Sequence, residues 1–193
     1  MLGHTHALIG LAALAAAQAM SGFIQPHPLD GLPAGPFLCA GAAILGALLP
    51  DIDGQDSTIR GELGLAGGCL AGLLRLLRVK HRGLTHFGLT GLLVWLAGAW
   101  LGQKSGYPDL GLALGLGYLS HLLADALTLS GAPLLWPLPG RIHLLPRPFR
   151  VRTGGPSERL IFLLVGAALL CLLPALIPAD LPALLARLSQ GVR

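Results

Sequence analysis

Charge is what this sequence has least of. Only 11% of its 193 residues are Asp, Glu, Lys or Arg, against about 25% in a soluble domain, so the chain lacks the polar surface that water on every side would demand. Cysteine is scarce as well. The three at 39, 69 and 171 form neither a disulfide framework nor a paired-thiol motif, which excludes a secreted disulfide scaffold. Aromatics make up 5% and do not interleave with basic residues, so a net charge of +4 is no argument for a nucleic-acid partner. No triplet period runs through the 28 glycines, which excludes collagen, and a 53% hydrophobic content excludes disorder. An integral membrane protein remains.

A hydrocarbon core takes about 20 apolar residues per helical span, and five runs approach that length, near 7–22, 33–50, 87–102, 110–129 and 160–177. The first run lacks a basic leader and a small-residue cleavage site, so it reads as a span rather than a signal peptide. Residues 63–77 are apolar but short, and Arg75 and Arg78 near their end suggest an interfacial or re-entrant helix. Residues 181–188 read as an amphipathic tail on the surface. Prolines at 133, 137, 139, 146, 148 and 156 block regular helix between the fourth and fifth spans, so that segment is expected to be irregular and functional. The expected fold is all-α: one polytopic membrane bundle over 1–193, with about five transmembrane helices and a short interfacial or re-entrant one.

Ten of the thirteen Lys and Arg residues lie in two loops. Loop 51–83 holds Arg60, Arg75, Arg78, Lys80 and Arg82; loop 131–159 holds Arg141, Arg147, Arg150, Arg152 and Arg159. Five spans put both loops on one side, and the positive-inside rule makes it the cytoplasmic side of a bacterial-type inner membrane. Lys104, Arg187 and Arg193 are left for the other side.

The acids and histidines follow the same asymmetry. His6, Asp51 and Asp53, His81 and His86, His121 and Asp125, and Glu158 all fall at the cytoplasmic ends of the expected spans. His121 and Asp125 are i and i+4 and share a helix face. An ionisable pair inside a span is costly unless paired or metal-bound, and marks a functional site by default; a His–Asp hydrogen bond locking two helices is the alternative. Asp51 and Asp53 follow Pro50, and in an extended turn i and i+2 project alike, which suits one ligand and one basic or supporting partner. Their alternative, a solvated helix end, is disfavoured because acids oppose the C-terminal dipole. His81 and His86 would diverge by about 140° on one helix. They converge if His81 stays in the loop and Thr85 caps the helix that His86 opens, or Thr85 could orient His86 directly.

Other residues carry less. His27 and His143 read as loop residues, and His4 ranks below His6. The cysteines read as small hydrophobes. Gly111 and Gly115 form a small-xxx-small pair that admits a neighbouring helix.

These motifs in this order resemble the YdjM family of membrane-bound metal-dependent hydrolases. The resemblance runs from His6-Ala-Leu through Leu48-Leu-Pro-Asp-Ile-Asp53, His81-Arg-Gly-Leu-Thr-His86 and Leu116-Gly-Tyr-Leu-Ser-His-Leu-Leu-Ala-Asp125 to Gly131-Ala-Pro-Leu-Leu-Trp-Pro137 and Glu158-Arg159. That family is distantly similar to the zinc-dependent phospholipase C and P1-type nuclease group, whose H-x-x-x-D helix supplies two ligands, the carboxylate bridging metals. The resemblance implies His121 and Asp125 in those roles. It implies that His6, Asp51 or Asp53, and His81 or His86 complete the set, for one or two ions.

Imidazole and carboxylate without paired thiolates suit Zn²⁺, with Mn²⁺ or Fe²⁺ at an oxygen-rich position. Metal-lowered water pKa would supply a hydroxide near neutrality. Whichever of Asp51 and Asp53 is not a ligand could act as base or orient the water, and Arg82, Arg147, Arg150 and Arg152 could clamp a phosphate. Thr85 and Glu158 would support the site. The expected activity is hydrolysis of a phosphoester in a lipid or membrane-proximal substrate, with membrane lipid as environment and as candidate substrate. A non-catalytic metal-binding membrane protein or a transporter is the competing class, although transport favours ligands near mid-membrane on broken helices. A structural membrane protein with internally satisfied polar pairs, binding no metal, is the third.

Overall fold

In a computed structural model, residues 1–24, 28, 29, 32–53, 84–136 and 138–177 are described, and among them helix dominates. Helix α1 (Gly3–Ser21) stops at Gly22, whose positive φ of 60° lets its N–H turn back to the Gln18 carbonyl. A two-residue antiparallel pair, Pro28–Leu29 with Leu32–Pro33, follows in the register Pro28↔Pro33 and Leu29↔Leu32. Helix α2 (Ala34–Leu48) passes into a 3₁₀ turn, Leu49–Asp53. Pro50 explains the change, since it lacks an N–H and its ring crowds the preceding turn. After a 3₁₀ turn at Leu84–His86 come α3 (Gly88–Ser105) and α4 (Leu110–Ala126). Helix α5 (Pro156–Leu172), with Pro at its first position, ends in a 3₁₀ turn, Leu173–Leu176.

Helix α4 is the centre, packed on α1, α2 and α3, while α5 joins the bundle through α1. Missing side chains make that closeness feasible. A Cβ on Gly117 would collide with the Ala43 carbonyl, one on Gly46 with the Leu114 carbonyl, and one on Gly111 with the Ala99 backbone. The Gly111–Gly115 pair thus does what its spacing suggested, with Trp95 against Gly115. Small side chains at helix contacts are how membrane helices gain dispersion contact without a hydrophobic drive. Small residues are frequent in the buried core, where Ala15, Cys39, Ala43 and Ala113 pack with Leu14, Ile24, Leu169 and Leu176.

Large apolar side chains point outward instead. Leu163, Leu164 and Leu170 on α5 are 61–72% exposed, which water would penalise and a bilayer would not. By length and composition, two helices are able to cross a membrane, Gly35–Ile52 and Pro156–Leu176, with 18 and 21 residues. Helix α4 is apolar but has 17 residues, roughly 26 Å at 1.5 Å per residue against a core of about 30 Å. Helices α1 and α3 have the length but carry polar ends, His4-Thr5-His6 and Gln103-Lys104-Ser105. Among the described residues, five helices therefore stand where five spans were expected, and two stretches are long and apolar enough for a span.

The boundaries move in a way that matters. Helix α1 begins at Gly3, so His6 lies inside its first turns rather than ahead of it, and α5 begins early enough to take in Glu158. The Pro-rich segment after α4 is irregular, as expected, yet pinned to the helix end. Leu129 N–H donates to Val151 O, Val151 N–H to Leu127 O, and Leu144 N–H to Ala126 O, at 2.9–3.0 Å. The expected helix at 63–77, the tail at 181–188, His27 and Cys69 lie outside the described residues.

Candidate metal centre

Helix α4 presents His121 and Asp125 one turn apart, both fully buried. The glycine contact that draws α2 onto α4 brings the Ala47 carbonyl to 2.7 Å from His121 Nδ1. A carbonyl only accepts, so Nδ1 must carry the proton, and the neutral ring turns its Nε2 lone pair inward.

Beyond α2, the 3₁₀ turn sets Asp51 Oδ1 at 3.4 Å from His86 Nε2 and 3.8 Å from His121 Nε2. An extended turn with both carboxylates projecting alike was expected here, and this is a correction. Pro50 favours 3₁₀ winding over Leu49–Asp53, so the i, i+2 argument no longer places Asp53 beside Asp51. The Asp53 side chain lies outside the described residues.

His86 reaches the same point from the short turn before α3. Thr85 does not cap that helix, because Phe87 holds the cap position and no side chain caps it. Instead Thr85 Oγ1 lies 3.2 Å from His86 Nδ1, and the Tyr118 hydroxyl donates to the Thr85 carbonyl. Of the two expected roles for Thr85, this contact is compatible with orienting His86 and not with capping. His6 completes the group. Its ring stacks on His121 with centroids 3.7 Å apart, and its Nε2 is 3.3 Å from Asp125 Oδ1. The Met1 nitrogen lies 2.8 Å from the same oxygen.

The donor set fits a metal ion on three counts. First, His121 Nε2 lies 3.3 Å from His86 Nε2 and 3.9 Å from Asp125 Oδ2, and His86 Nε2 lies 3.7 Å from that oxygen. Ligands about 2.1 Å from a tetrahedral Zn²⁺ stand about 3.4 Å from one another. Second, His6 Nδ1 is buried without a hydrogen-bond partner among the described residues, while its Nε2 faces Asp125 Oδ1 at 3.3 Å; a buried unsatisfied nitrogen costs about 1–3 kcal/mol unless something binds it. Third, His121 Nε2 faces His86 Nε2, Asp51 Oδ1 and Asp125 Oδ2 within 3.9 Å, so a cation there would meet imidazole nitrogen and carboxylate oxygen together. The ligand-type groups His6–Asp51–His121 and His86–His121–Asp125 each gather their donors within 4.8 Å. The two groups overlap at His121. Four of the five residues have no solvent contact, whereas the Asp51 side chain is 24% exposed. The centre opens at Asp51.

Glu158 is buried nearby but differently engaged. Its two oxygens accept the Leu2 and Gly154 N–H groups, each at 2.6 Å, tying the start of α1 to the loop before α5. It supports the position of His6 and is not a member of the donor cluster. His4 is exposed, with its ring edge against Phe162. Arg150 donates Nε to the Leu145 carbonyl at 3.0 Å, and Arg147 and Arg152 are exposed, with no bond to the cluster among the described residues. A phosphate-clamping role for these three rests on their position in the chain alone. His81 and Arg82 lie outside the described residues. His143 sits between the Arg141 and Leu129 carbonyls, away from the cluster.

Sequence reasoning did not anticipate the Ala47 carbonyl, the Met1 nitrogen or Tyr118. The first two are backbone atoms, which carry no residue signature. Tyr118 had one: it stands three residues before His121, hence on the same helical face.

Comparison with known proteins gives a consistent lineage. The family model described as YdjM inner membrane protein matches residues 1–181. An uncharacterized protein of Bacillus subtilis (strain 168), YvsG, is 31% identical over 163 residues, 83% of this chain and 87% of its own length. The inner membrane protein YdjM of Escherichia coli (strain K12) is 40% identical over 124 residues, 62% of this chain and 59% of that protein, so the match spans about three fifths of that relative. No solved structure matches.

Proposed function

The chain belongs to the YdjM inner membrane protein family, and from that premise we propose that it is a membrane-embedded, metal-dependent hydrolase cleaving a phosphoester of a lipid or membrane-proximal substrate. The observation that carries the reading is the meeting of His6, Asp51, His86, His121 and Asp125, from distant parts of the chain, at one buried point with ligand spacing. When bound there, Zn²⁺ (or Mn²⁺ or Fe²⁺) supplies Lewis-acid polarisation of a phosphoryl oxygen and a water with pKa near 7.

The chain's own residues do the rest. The Ala47 carbonyl and Thr85 hold the His121 and His86 rings in one orientation, so the donors need little reorganisation. The Met1 nitrogen and His6 fix the Asp125 carboxylate on one edge and leave Oδ2 toward His86 and His121. Asp51 stands at the mouth and can take a proton from water entering there, a role worth about 10²–10⁴ in rate; Asp53 competes for that role. Arg82, between His81 and His86 in the chain, is assigned to the substrate phosphate. The bundle reading goes with this proposal: one domain, five spans in the inner membrane, the site on the cytoplasmic side because loops 51–83 and 131–159 hold the basic residues.

The test is metal analysis of the purified full chain, then turnover of phospholipids and aryl phosphoesters with and without a chelator. Chelator-sensitive turnover that falls in Arg82→Ala is expected. Chelator-insensitive turnover, or none from a fully loaded preparation, moves the assignment to a non-catalytic metal-binding protein. The full burial of His6, His86, His121 and Asp125 is the observation that favours this second reading, because structural sites are closed and catalytic ones open. For topology, Gly54→Cys in a background without Cys39, Cys69 and Cys171 should be blocked only by membrane-permeant thiol reagents. Labelling from outside intact cells would reverse the orientation.

A further inference from the structure

Helices α3 and α4 part along their outer side to leave a groove of about 310 Å³. Glycine makes it. Gly88, Gly91 and Gly115 line it, and a Cβ on Gly91 would come 2.8 Å from the Tyr118 ring, one on Gly115 3.1 Å from Trp95. Among the described residues, no charged side chain lines it. From Leu112 to Leu122 it follows eleven residues of α4, a rise of roughly 15 Å.

Its two sides differ in what they meet. Along its length, Leu92, Trp95, Leu112 and Leu119 are 40–52% exposed and continue into the apolar outer face of α3, where Leu89, Leu93 and Leu96 are at least half exposed. At its other limit, Gly88 lies two residues after His86, and the Tyr118 ring that walls the groove carries the hydroxyl bonded to the Thr85 carbonyl. The groove is thus continuous with the exposed apolar face of α3 on one side and ends beside the His86 turn on the other. A wholly apolar slot with one ionisable end matches an amphiphile.

We propose that this groove holds one acyl chain of a membrane phospholipid, entering sideways from the bilayer, with the headgroup at the His86–Asp51 end. The inference rests on the hydrolase reading for the fate of the headgroup, but binding in the groove does not require turnover. It makes the substrate class lipid rather than a soluble phosphoester, and gives chain length a role in affinity.

The experiment uses the full chain in phosphatidylglycerol–phosphatidylethanolamine vesicles doped with phosphatidylglycerol carrying a diazirine on one acyl chain. After irradiation, labelled peptides are mapped. Labelling is expected to concentrate on 88–95 and 112–122 and to fall at least ten-fold in Leu119→Trp. That substitution fills the groove from a position 52% exposed, so folding should survive; Gly115→Leu is the stronger block, and unfolding temperature reports whether either variant folds. Leu163→Trp, on the outer face of α5, should leave labelling unchanged. Label spread evenly over the outward faces of α3 and α5, or undiminished in a folded Leu119→Trp, overturns the groove assignment even where aryl phosphoesters are still cleaved. Concentrated labelling without any hydrolysis keeps the groove as a lipid site and sinks the catalytic reading alone.

Discussion

Asp125 and Glu158 are both buried carboxylates at the same end of the bundle, and they are used in opposite ways. Glu158 spends both oxygens on backbone N–H donors of Leu2 and Gly154. Its charge is answered by amide dipoles in short bonds, the arrangement of a staple. Asp125 instead faces His6, His86 and His121 with the Met1 nitrogen on one oxygen. Backbone donors satisfy a carboxylate permanently, whereas imidazole nitrogens that can present lone pairs leave a place for a cation. Burial alone therefore does not separate a structural acid from a candidate ligand; its partners do.

The comparison breaks most visibly at the donors. Replacing Asp125 or His121 with Ala should remove most of the bound zinc, measured by elemental analysis of the purified chain, while His27→Ala leaves the stoichiometry intact. Full zinc in His121→Ala would make the His121–Asp125 pair a structural contact like Glu158. Next in size is the division of labour at the mouth. One of Asp51→Asn and Asp53→Asn should keep its metal and lose about 10²–10⁴ in turnover, and the other should lose both. Equal loss of metal in the two variants would remove the base from the scheme.

Glu158→Gln sharpens the contrast from the other side. Zinc content should hold, while two charge-assisted bonds weaken, at about 1.5–3 kcal/mol. In detergent that corresponds to a fall of roughly 3–12 °C in Tm. Loss of zinc at unchanged Tm would place Glu158 with the ligands. The smallest effect belongs to Tyr118→Phe, which deprives the Thr85 carbonyl of its donor at about 0.5–1.5 kcal/mol. A modest rise in zinc Kd is expected, of up to about ten-fold, read by competition with a chelator. No change in Kd would mean that the Tyr118 bond does not help to hold His86.

Much of this was legible from residue types. The polar residues at one end of the expected spans, the pairing of His121 with Asp125 and the packing role of Gly111 and Gly115 follow from helical spacing, which is a local property. Turn geometry was not legible. Pro50 announced the end of α2 but not that a 3₁₀ turn rather than an extended one would follow, and that difference separates Asp51 from the reasoning applied to Asp53. Thr85 was read with two roles because capping and ring orientation use the same hydroxyl, and only the position of Phe87 decides between them.

The sequence by itself determined the membrane character, the helical period and which ionisable residues lie at one end, because composition and spacing act over a few turns of chain. Tertiary structure decided which of them touch. The rotation of α4 against α2, set by Gly46 and Gly117 meeting backbone rather than side chains, brings the Ala47 carbonyl to His121. A carbonyl has no side chain to announce it, and it is this contact that turns the lone pair of His121 toward Asp51, His86 and Asp125.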